Sequence, residues 1–176
     1  MARYSTTGFS QAGQVSGVNA GLTVNGYLGY WGASATAGFR LRRVTLGIRT
    51  TTLTVPTSQQ YSVAIYRQTT APAGTGLQAA IAGQPMEIWT PQTDPTVGLI
   101  MTTAGTIGTT APVLAAQPIK TLTLNSQTGW DYPFEFTEEL VCNLGTANGM
   151  AFVIGGPTGY SIPANHVITL DAEIEV

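Results

Sequence analysis

Residues 166–176, HVITLDAEIEV, alternate between two kinds of side chain along their whole length. After the histidine, one parity is entirely apolar and consists of Ile168, Leu170, Ala172, Ile174 and Val176. The other parity carries Val167, Thr169, Asp171, Glu173 and Glu175. Successive side chains of a β-strand point to opposite faces, so this pattern predicts a strand with one buried face and one acidic, solvent-facing side.

The stretch FRLRRVTLGIRT, residues 39–50, carries the opposite charge and holds four of the seven basic residues of the chain. Its second half alternates in the same way, with Val44, Leu46 and Ile48 on one face of a predicted strand. Arg43 and Arg49 lie on the other face. This stretch is therefore predicted to be a second amphipathic strand, with a basic outer side.

The first and last strands of an eight-stranded jelly roll lie side by side and antiparallel in one sheet. Opposite charges on adjacent strands attract each other, so we expect a charge ladder between these two runs. Its members are Arg43, Arg49, Asp171, Glu173 and Glu175. A binding site for nucleic acid or another anion, and an interface with an acidic partner, stay open as alternatives for the arginines.

Arg40 and Arg42 do not fit this ladder. Arg42 has the parity of Val44 and Leu46, just before the predicted core begins. If any arginine of this run contacts a partner outside the domain, these two are the candidates.

Between these two runs, further short apolar or alternating segments are separated by turn signals rich in Gly, Pro, Ser and Asn. They are 62–68, 86–90, 97–103, 119–126, 132–144 (YPFEFT, resuming through LVCNL) and 148–156. The last of these, NGMAFVIGG, is continuously apolar, which is typical of a strand covered on both faces. About eight strands need two packed sheets or a closed barrel, so the sequence predicts an all-β protein, a single eight-stranded jelly-roll β-sandwich over residues 39–176.

Residues 1–38 differ from the rest because glycine recurs every few positions, with Ser and Asn between. This composition predicts an irregular, extended N-terminal arm that docks either on its own domain or on a neighbour. Tyr27, Tyr30 and Trp31 supply amphipathic contact area of the kind enriched at interfaces. They are therefore the predicted anchors of the arm.

Charged residues make up only 9% of the chain, against about 25% in ordinary soluble domains. A surface so poor in charge indicates that much of it faces a partner. The net charge of −2 is not that of a nucleic-acid-binding protein, which is usually strongly basic. No uninterrupted run of 18 apolar residues is present, so neither a membrane span nor a secretory signal is expected.

The sequence offers little for catalysis. A nucleophilic hydrolase needs a base, and His166 is the only histidine, at a position typical of a polar cap at the start of a strand. One histidine and one cysteine, Cys142, exclude metal sites of the His/Cys type. Asp94 and Asp131 lie in predicted loops without a calcium-binding motif. We therefore expect no catalytic residues, no metal and no cofactor.

The order of features resembles the small jelly-roll structural proteins of tailed-bacteriophage virions: a glycine-rich arm, eight short strands, TTAP-type loops and an acidic last strand. The pieces that carry the resemblance are FRLRRVTLGIRT, SVAIYRQTTAPAGTG, DYPFEFTEELV, GMAFVIGG and NHVITLDAEIEV. None of these pieces is a diagnostic motif, so the resemblance is one of style and order.

This resemblance implies a non-enzymatic capsid decoration (cement) protein on the virion surface, assembled in the host cytoplasm. Its partners would be the major capsid protein and neighbouring copies of itself, as a homotrimer, with no nucleic acid and no membrane. The alternative is a carbohydrate-binding jelly-roll module of a head fibre or tail that serves host attachment. Under that alternative, exposed aromatic residues such as Trp89 or Trp130 would stack on sugar rings.

Overall fold

The structure is a computed structural model, and the residues that it describes are 3–9, 27–33, 35–51, 58–71, 84–85, 100–103, 112–135, 137–155, 162 and 165–176. These residues contain no helix, and therefore none that is long and apolar enough to cross a membrane. The predicted strand at 86–90, with Trp89, and Asp94 lie outside the described residues.

Two antiparallel sheets contain all the strands of the described residues. The first sheet has the order β10-β3-β12-β1-β5, with β9 also paired to β3. Its strands are β1 (Arg3–Phe9), β3 (Phe39–Thr50), β5 (Gln84–Pro85), β9 (Trp130–Pro133), β10 (Leu140–Cys142) and β12 (His166–Glu175). The second sheet has the order β6-β2-β11-β4-β7, with β8 also paired to β4. Its strands are β2 (Tyr27–Gly32), β4 (Gln60–Thr70), β6 (Ile100–Thr103), β7 (Val113–Leu114), β8 (Lys120–Asn125) and β11 (Gly149–Gly155).

The prediction of an all-β sandwich is confirmed. The two sheets enclose one main core, in which Trp31 and Phe152 of the second sheet and Leu170 of the first are almost fully buried. The Trp31 and Phe152 rings meet edge to face, with centroids 4.8 Å apart. Twelve strands are present in the described residues, where the sequence pattern indicated eight, because several strands are too short to show a period of two.

Two of the additional strands come from the predicted arm. Strand β1 lies between β12 and β5 in the first sheet, and β2 lies between β11 and β6 in the second. The prediction that residues 1–38 form an irregular arm beside the sandwich is therefore wrong for these two strands. The sequence leaves open whether the arm docks on its own domain or on a neighbour. In the structure, β1 and β2 pair with strands of the same chain.

Strand β11 is apolar because both of its faces are covered, as its composition predicts. Met150, Phe152 and Ile154 belong to the main core. On the opposite face, Ala151 and Val153 belong to a second buried cluster. The other members of that cluster are Tyr30, Ala64 and Tyr66, with Leu114 packed against them.

A β-bulge interrupts strand β3 and decides where its arginines point. Glu173 lies opposite Arg43 and Ile174 lies opposite Leu41, so Arg42 is the extra residue of the bulge. The bulge shifts the parity of the strand by one position. The core-facing residues of β3 before the bulge are Phe39 and Leu41, and those after it are Val44 and Leu46.

Candidate interaction surface

The outer face of the first sheet carries most of the ion pairs among the described residues. Because of the bulge, Arg40, Arg42 and Arg43 all project to this face, although Arg42 has the sequence parity of the core residues. Val141, Arg40 and Glu175 lie in one row across β10, β3 and β12. This face is therefore the first candidate for a functional surface.

Arg42 is the centre of a largely buried charge cluster. Its Nε and Nη2 atoms donate to Glu175 Oε2, and its Nη1 atom contacts Glu139 Oε1. The side chain of Arg42 is 17% exposed, and those of Glu139 and Glu175 are 5% and 8% exposed. This geometry corrects the prediction that Arg42 contacts a partner outside the domain, because its Nε, Nη1 and Nη2 atoms bind carboxylates of the same chain.

Arg43 makes a two-pronged pair with Asp131 at the exposed side of the same face. Its Nε and Nη2 atoms donate to the Asp131 carboxylate at 2.7 and 2.5 Å, and Thr45 Oγ1 donates to it at 3.0 Å. Glu173 lies opposite Arg43 in the neighbouring strand, with Nη1 and Oε1 3.7 Å apart. The expected contact between β3 and β12 is present at this position, but Asp131 of β9 is the closer partner.

The strand register does not place the other members of the expected ladder opposite one another. Asp171 lies opposite Thr45, and Arg49 lies opposite Val167. Glu175 lies opposite Arg40, and its carboxylate is bound by Arg42. Arg49 lies six residues from Arg43, beyond the last acid of β12, and the bulge changes only the partner of Glu175.

Hydrogen bonds from Arg43 hold the pKa of Asp131 at about 2, below its ordinary value of 3.8. Desolvation opposes this shift, while the Thr45 hydroxyl and the charge of Arg43 add to it. In return, the hydrogen bond to Asp131 raises the pKa of Arg43. Asp131 thus remains ionised down to an acidity at which an ordinary aspartate is already protonated.

The shift in Asp131 predicts a dependence of stability on pH. Its pKa is lower in the folded state, so the unfolded state binds more protons and the contribution is complete only above about pH 3.8. It is lost as the pH falls towards 2. We expect Asp131→Asn to flatten the dependence of the free energy of unfolding on pH between about pH 4 and pH 2, measured by urea titration. An unchanged slope in this window would contradict the assignment, and Asp171→Asn is the matched control.

The predicted aromatic anchors lie elsewhere. Tyr30 and Trp31 are 1% and 4% exposed, and the Tyr30 hydroxyl donates to Gln68 Oε1 beneath the surface. Tyr27 begins β2 and pairs with Val153, and its side chain lies outside the described part. Tyr30 and Trp31 are therefore core residues of this chain, which corrects their prediction as partner contacts.

Exposed apolar residues occur instead beside β10. Val141 is 39% exposed and Leu144 is 60% exposed, and the two flank the buried Cys142. Arg40 lies directly opposite Val141 in β3, and Arg67 Nη1 donates to the Val141 carbonyl oxygen at 2.8 Å. We call Arg40, Arg67, Val141 and Leu144 the β10 patch.

The loop that presents Leu144 is held by three hydrogen bonds. The Asn148 amide donates to the Gly145 carbonyl oxygen at 2.8 Å, and Asn148 Nδ2 donates to that of Leu144 at 2.9 Å. Gln68 Nε2 donates to the Ala147 carbonyl oxygen at 2.9 Å. A surface fixed in this way loses little conformational entropy when a partner docks.

A groove of about 200 Å³ runs beside the β10 patch, between the start of β3 and the loop after β10. Gly38 allows this close approach, since a Cβ atom there would lie 2.3 Å from the Cys142 carbonyl oxygen. The groove is lined by Gly38, Phe39, Arg40, Val141, Cys142, Asn143, Leu144, Glu175 and Val176. Burial raises the pKa of the Cys142 thiol to about 11, so the thiol is protonated and a poor nucleophile at neutral pH.

His166 is 1% exposed and hydrogen-bonds Tyr61 through Nδ1. The Tyr61 hydroxyl also donates to Gln59 Oε1 at 2.9 Å. The chain of bonds ties β12 to β4 across the sandwich. In the part of the chain that the structure describes, no group of three or more His, Cys, Asp or Glu side chains is placed to hold a metal ion.

Trp130 and Tyr132 stack nearly parallel on the inner side of β9, with ring centroids 5.0 Å apart. Lys120 of β8 places its Nζ atom 3.6 Å from the centre of the Tyr132 ring. Both aromatic residues are partly buried against the main core. Trp130 therefore has a packing role, with part of its surface still open at the edge of the sandwich.

Comparison of the sequence with known protein families, and with curated proteins, finds no match in either case. The function is therefore inferred from the composition and the geometry of the chain.

Proposed function

We propose that this protein is a non-enzymatic structural protein of a bacteriophage virion, a capsid decoration (cement) protein that binds the major capsid shell and stabilises it. The β10 patch supplies the main contact with the shell. The observation that carries this proposal is an exposed apolar pair, Val141 of β10 and Leu144 of the following loop, which hydrogen bonds already hold in place.

The charge distribution supports a docked protein. The chain has few charged residues, and Arg42 and Arg43 are engaged with carboxylates of the same chain. Many exposed positions among the described residues carry Thr, Ser or Gln, which a partner can cover at a lower desolvation cost than charged side chains. The adjacent, antiparallel β3 and β12 agree with the jelly-roll order that the resemblance implies.

The resemblance also implies a homotrimer on the capsid surface, with many copies on one lattice. Many weak contacts of the same kind give high overall avidity. Sedimentation velocity of the free protein tests the trimer separately from the docking.

Binding to shells tests the docking function. We expect the purified protein to co-sediment saturably with capsids that lack it, and Val141→Asp together with Leu144→Asp to abolish this binding. The matched control is Val113→Asp, since Val113 is 56% exposed but lies on β7 of the other sheet. Circular dichroism verifies that the variants are folded. Full binding by the folded double variant would overturn the proposal for this patch.

The alternative function, a carbohydrate-binding module of a head fibre or tail, is favoured by the partly open Trp130–Tyr132 stack. Flat aromatic faces are suited to sugar rings. Saturable quenching of tryptophan fluorescence by a glycan, lost in Trp130→Ala, together with no binding to shells, would reverse the order of the two proposals.

A further inference from the structure

The groove beside the β10 patch has the size of a site for one side chain. Its volume of about 200 Å³ is below the roughly 300–1,000 Å³ of pockets for small molecules. Phe39 and Cys142 line it, and both are buried. A single leucine, methionine or phenylalanine from a partner is the natural occupant of an apolar groove of this size.

The charges around the groove favour an anion next to that side chain. Arg42 is enclosed by Glu139 and Glu175, and these three side chains carry a net charge of −1, which Arg40 balances. Arg40 makes one hydrogen bond to Glu139, at the long distance of 3.3 Å, and its side chain is 39% exposed. A guanidinium has five N–H donors, so Arg40 keeps donors for a further acceptor.

Arg67 adds a second positive charge on the far side of Val141. It is exposed, and it hydrogen-bonds the Val141 carbonyl oxygen, a neutral acceptor. Around the groove, the described residues thus include three arginines and two glutamates. The exposed apolar surface is flanked by cations on two sides, which is complementary to a carboxylate and not to a lysine or an arginine.

We propose that the groove binds an extended segment of a partner protein in which a bulky apolar residue is next to an aspartate or glutamate. The apolar side chain enters the groove between Phe39 and Leu144, and the carboxylate accepts hydrogen bonds from Arg40. This inference rests on the proposed docking function. It adds that the shell protein presents a bulky apolar residue next to an acidic residue at the contact.

Short peptides test this chemistry without the capsid. The probes are acetyl-Ser-Leu-Asp-Ser-amide and two matched peptides, one with Asn in place of Asp and one with Ser in place of Leu. Binding is followed in ¹H–¹⁵N correlation spectra of the labelled protein. We expect the Leu-Asp peptide to shift the amides of residues 39–41 and 141–144, and the Leu-Asn peptide to bind about threefold to fivefold more weakly. The peptide with Ser in place of Leu should not bind.

Arg40→Gln should abolish the preference for Asp over Asn, while Arg49→Gln on the same strand should keep it. In the unaltered protein, a higher salt concentration should weaken the binding of the Asp peptide and leave the binding of the Asn peptide almost unchanged. Equal binding of the two peptides, or no shifts at the groove, would overturn the inference. Peptide binding at the groove without binding to shells would instead refute the proposed function and leave the chemistry of the groove intact.

Discussion

Replacement of Trp31 by alanine is expected to lower the free energy of unfolding by about 3–5 kcal/mol. Trp31 is 4% exposed, and its ring meets Phe152 edge to face in the main core. The substitution therefore leaves a cavity between the sheets that the surrounding backbone cannot fill by relaxation. Urea unfolding monitored by circular dichroism measures the loss.

This result separates a core strand from a docking arm. If β2 lay outside the core, the Trp31→Ala variant would unfold at the same urea concentration as the unaltered protein. Val113→Ala provides the control, because a residue that is 56% exposed should change the stability by less than about 0.5 kcal/mol. Deletion of residues 1–33 should have a larger effect and abolish cooperative unfolding, since it removes β1 from the first sheet and β2 from the second.

The second large effect is expected at the charge cluster under the outer face of the first sheet. Arg42→Met retains the apolar stem of the side chain but leaves the Glu175 carboxylate without its cation and Glu139 with only the long contact to Arg40. Both carboxylates are largely buried, at 5% and 8% exposure. Removal of one partner from a buried ion pair costs about 3–5 kcal/mol, and we expect a loss of this size in urea unfolding.

A triple variant shows whether the loss of stability comes from the missing ion pair or from carboxylates that are left buried without a cation. Glu139→Gln and Glu175→Gln, added to Arg42→Met, should restore most of the stability, because no buried carboxylate is then left uncompensated. A triple variant as unstable as Arg42→Met alone would contradict this account. Arg49→Met, at an exposed position of the same strand, should have a much smaller effect than Arg42→Met.

Strands that show a clear pattern in the sequence could be predicted. β3 and β12 alternate because one face of each lies on the core, and β11 is apolar throughout because both its faces are covered. The signal in these cases is local, since the pattern reports the burial of each side chain directly.

The strands β1 and β2 could not be predicted in the same way. Their glycines suggested an irregular segment, but Gly29 of β2 is required by packing: a Cβ atom there would lie 2.8 Å from Leu170 Cδ2. The pairing of β2 with β11 and β6 determines its conformation, and that pairing is not local. The same glycine can therefore mark a loop in the sequence and a close contact between sheets in the structure.

The candidate surface was predicted in part. The adjacency of β3 and β12 followed from the fold class, whereas the partners of individual arginines depended on the register. One signal was available: Phe39 and Leu41 have the opposite parity to Val44 and Leu46, and two arginines stand between them. Such a break in parity predicts a bulge. The β10 patch had no sequence signal, since exposure of Val141 and Leu144 depends on how the sheet edge is covered.

The position of β12 in the first sheet has a consequence for how the protein forms. The last strand of this sequence lies between β3 and β1, and the two early strands contact each other only through it. During synthesis, the first sheet cannot close until β12 is made, so its two halves must wait with unpaired edges. Pairing over such long sequence separations is slow, in the range of about milliseconds to seconds for all-β domains. Completion of the first sheet is thus expected to wait until β12 has been synthesised.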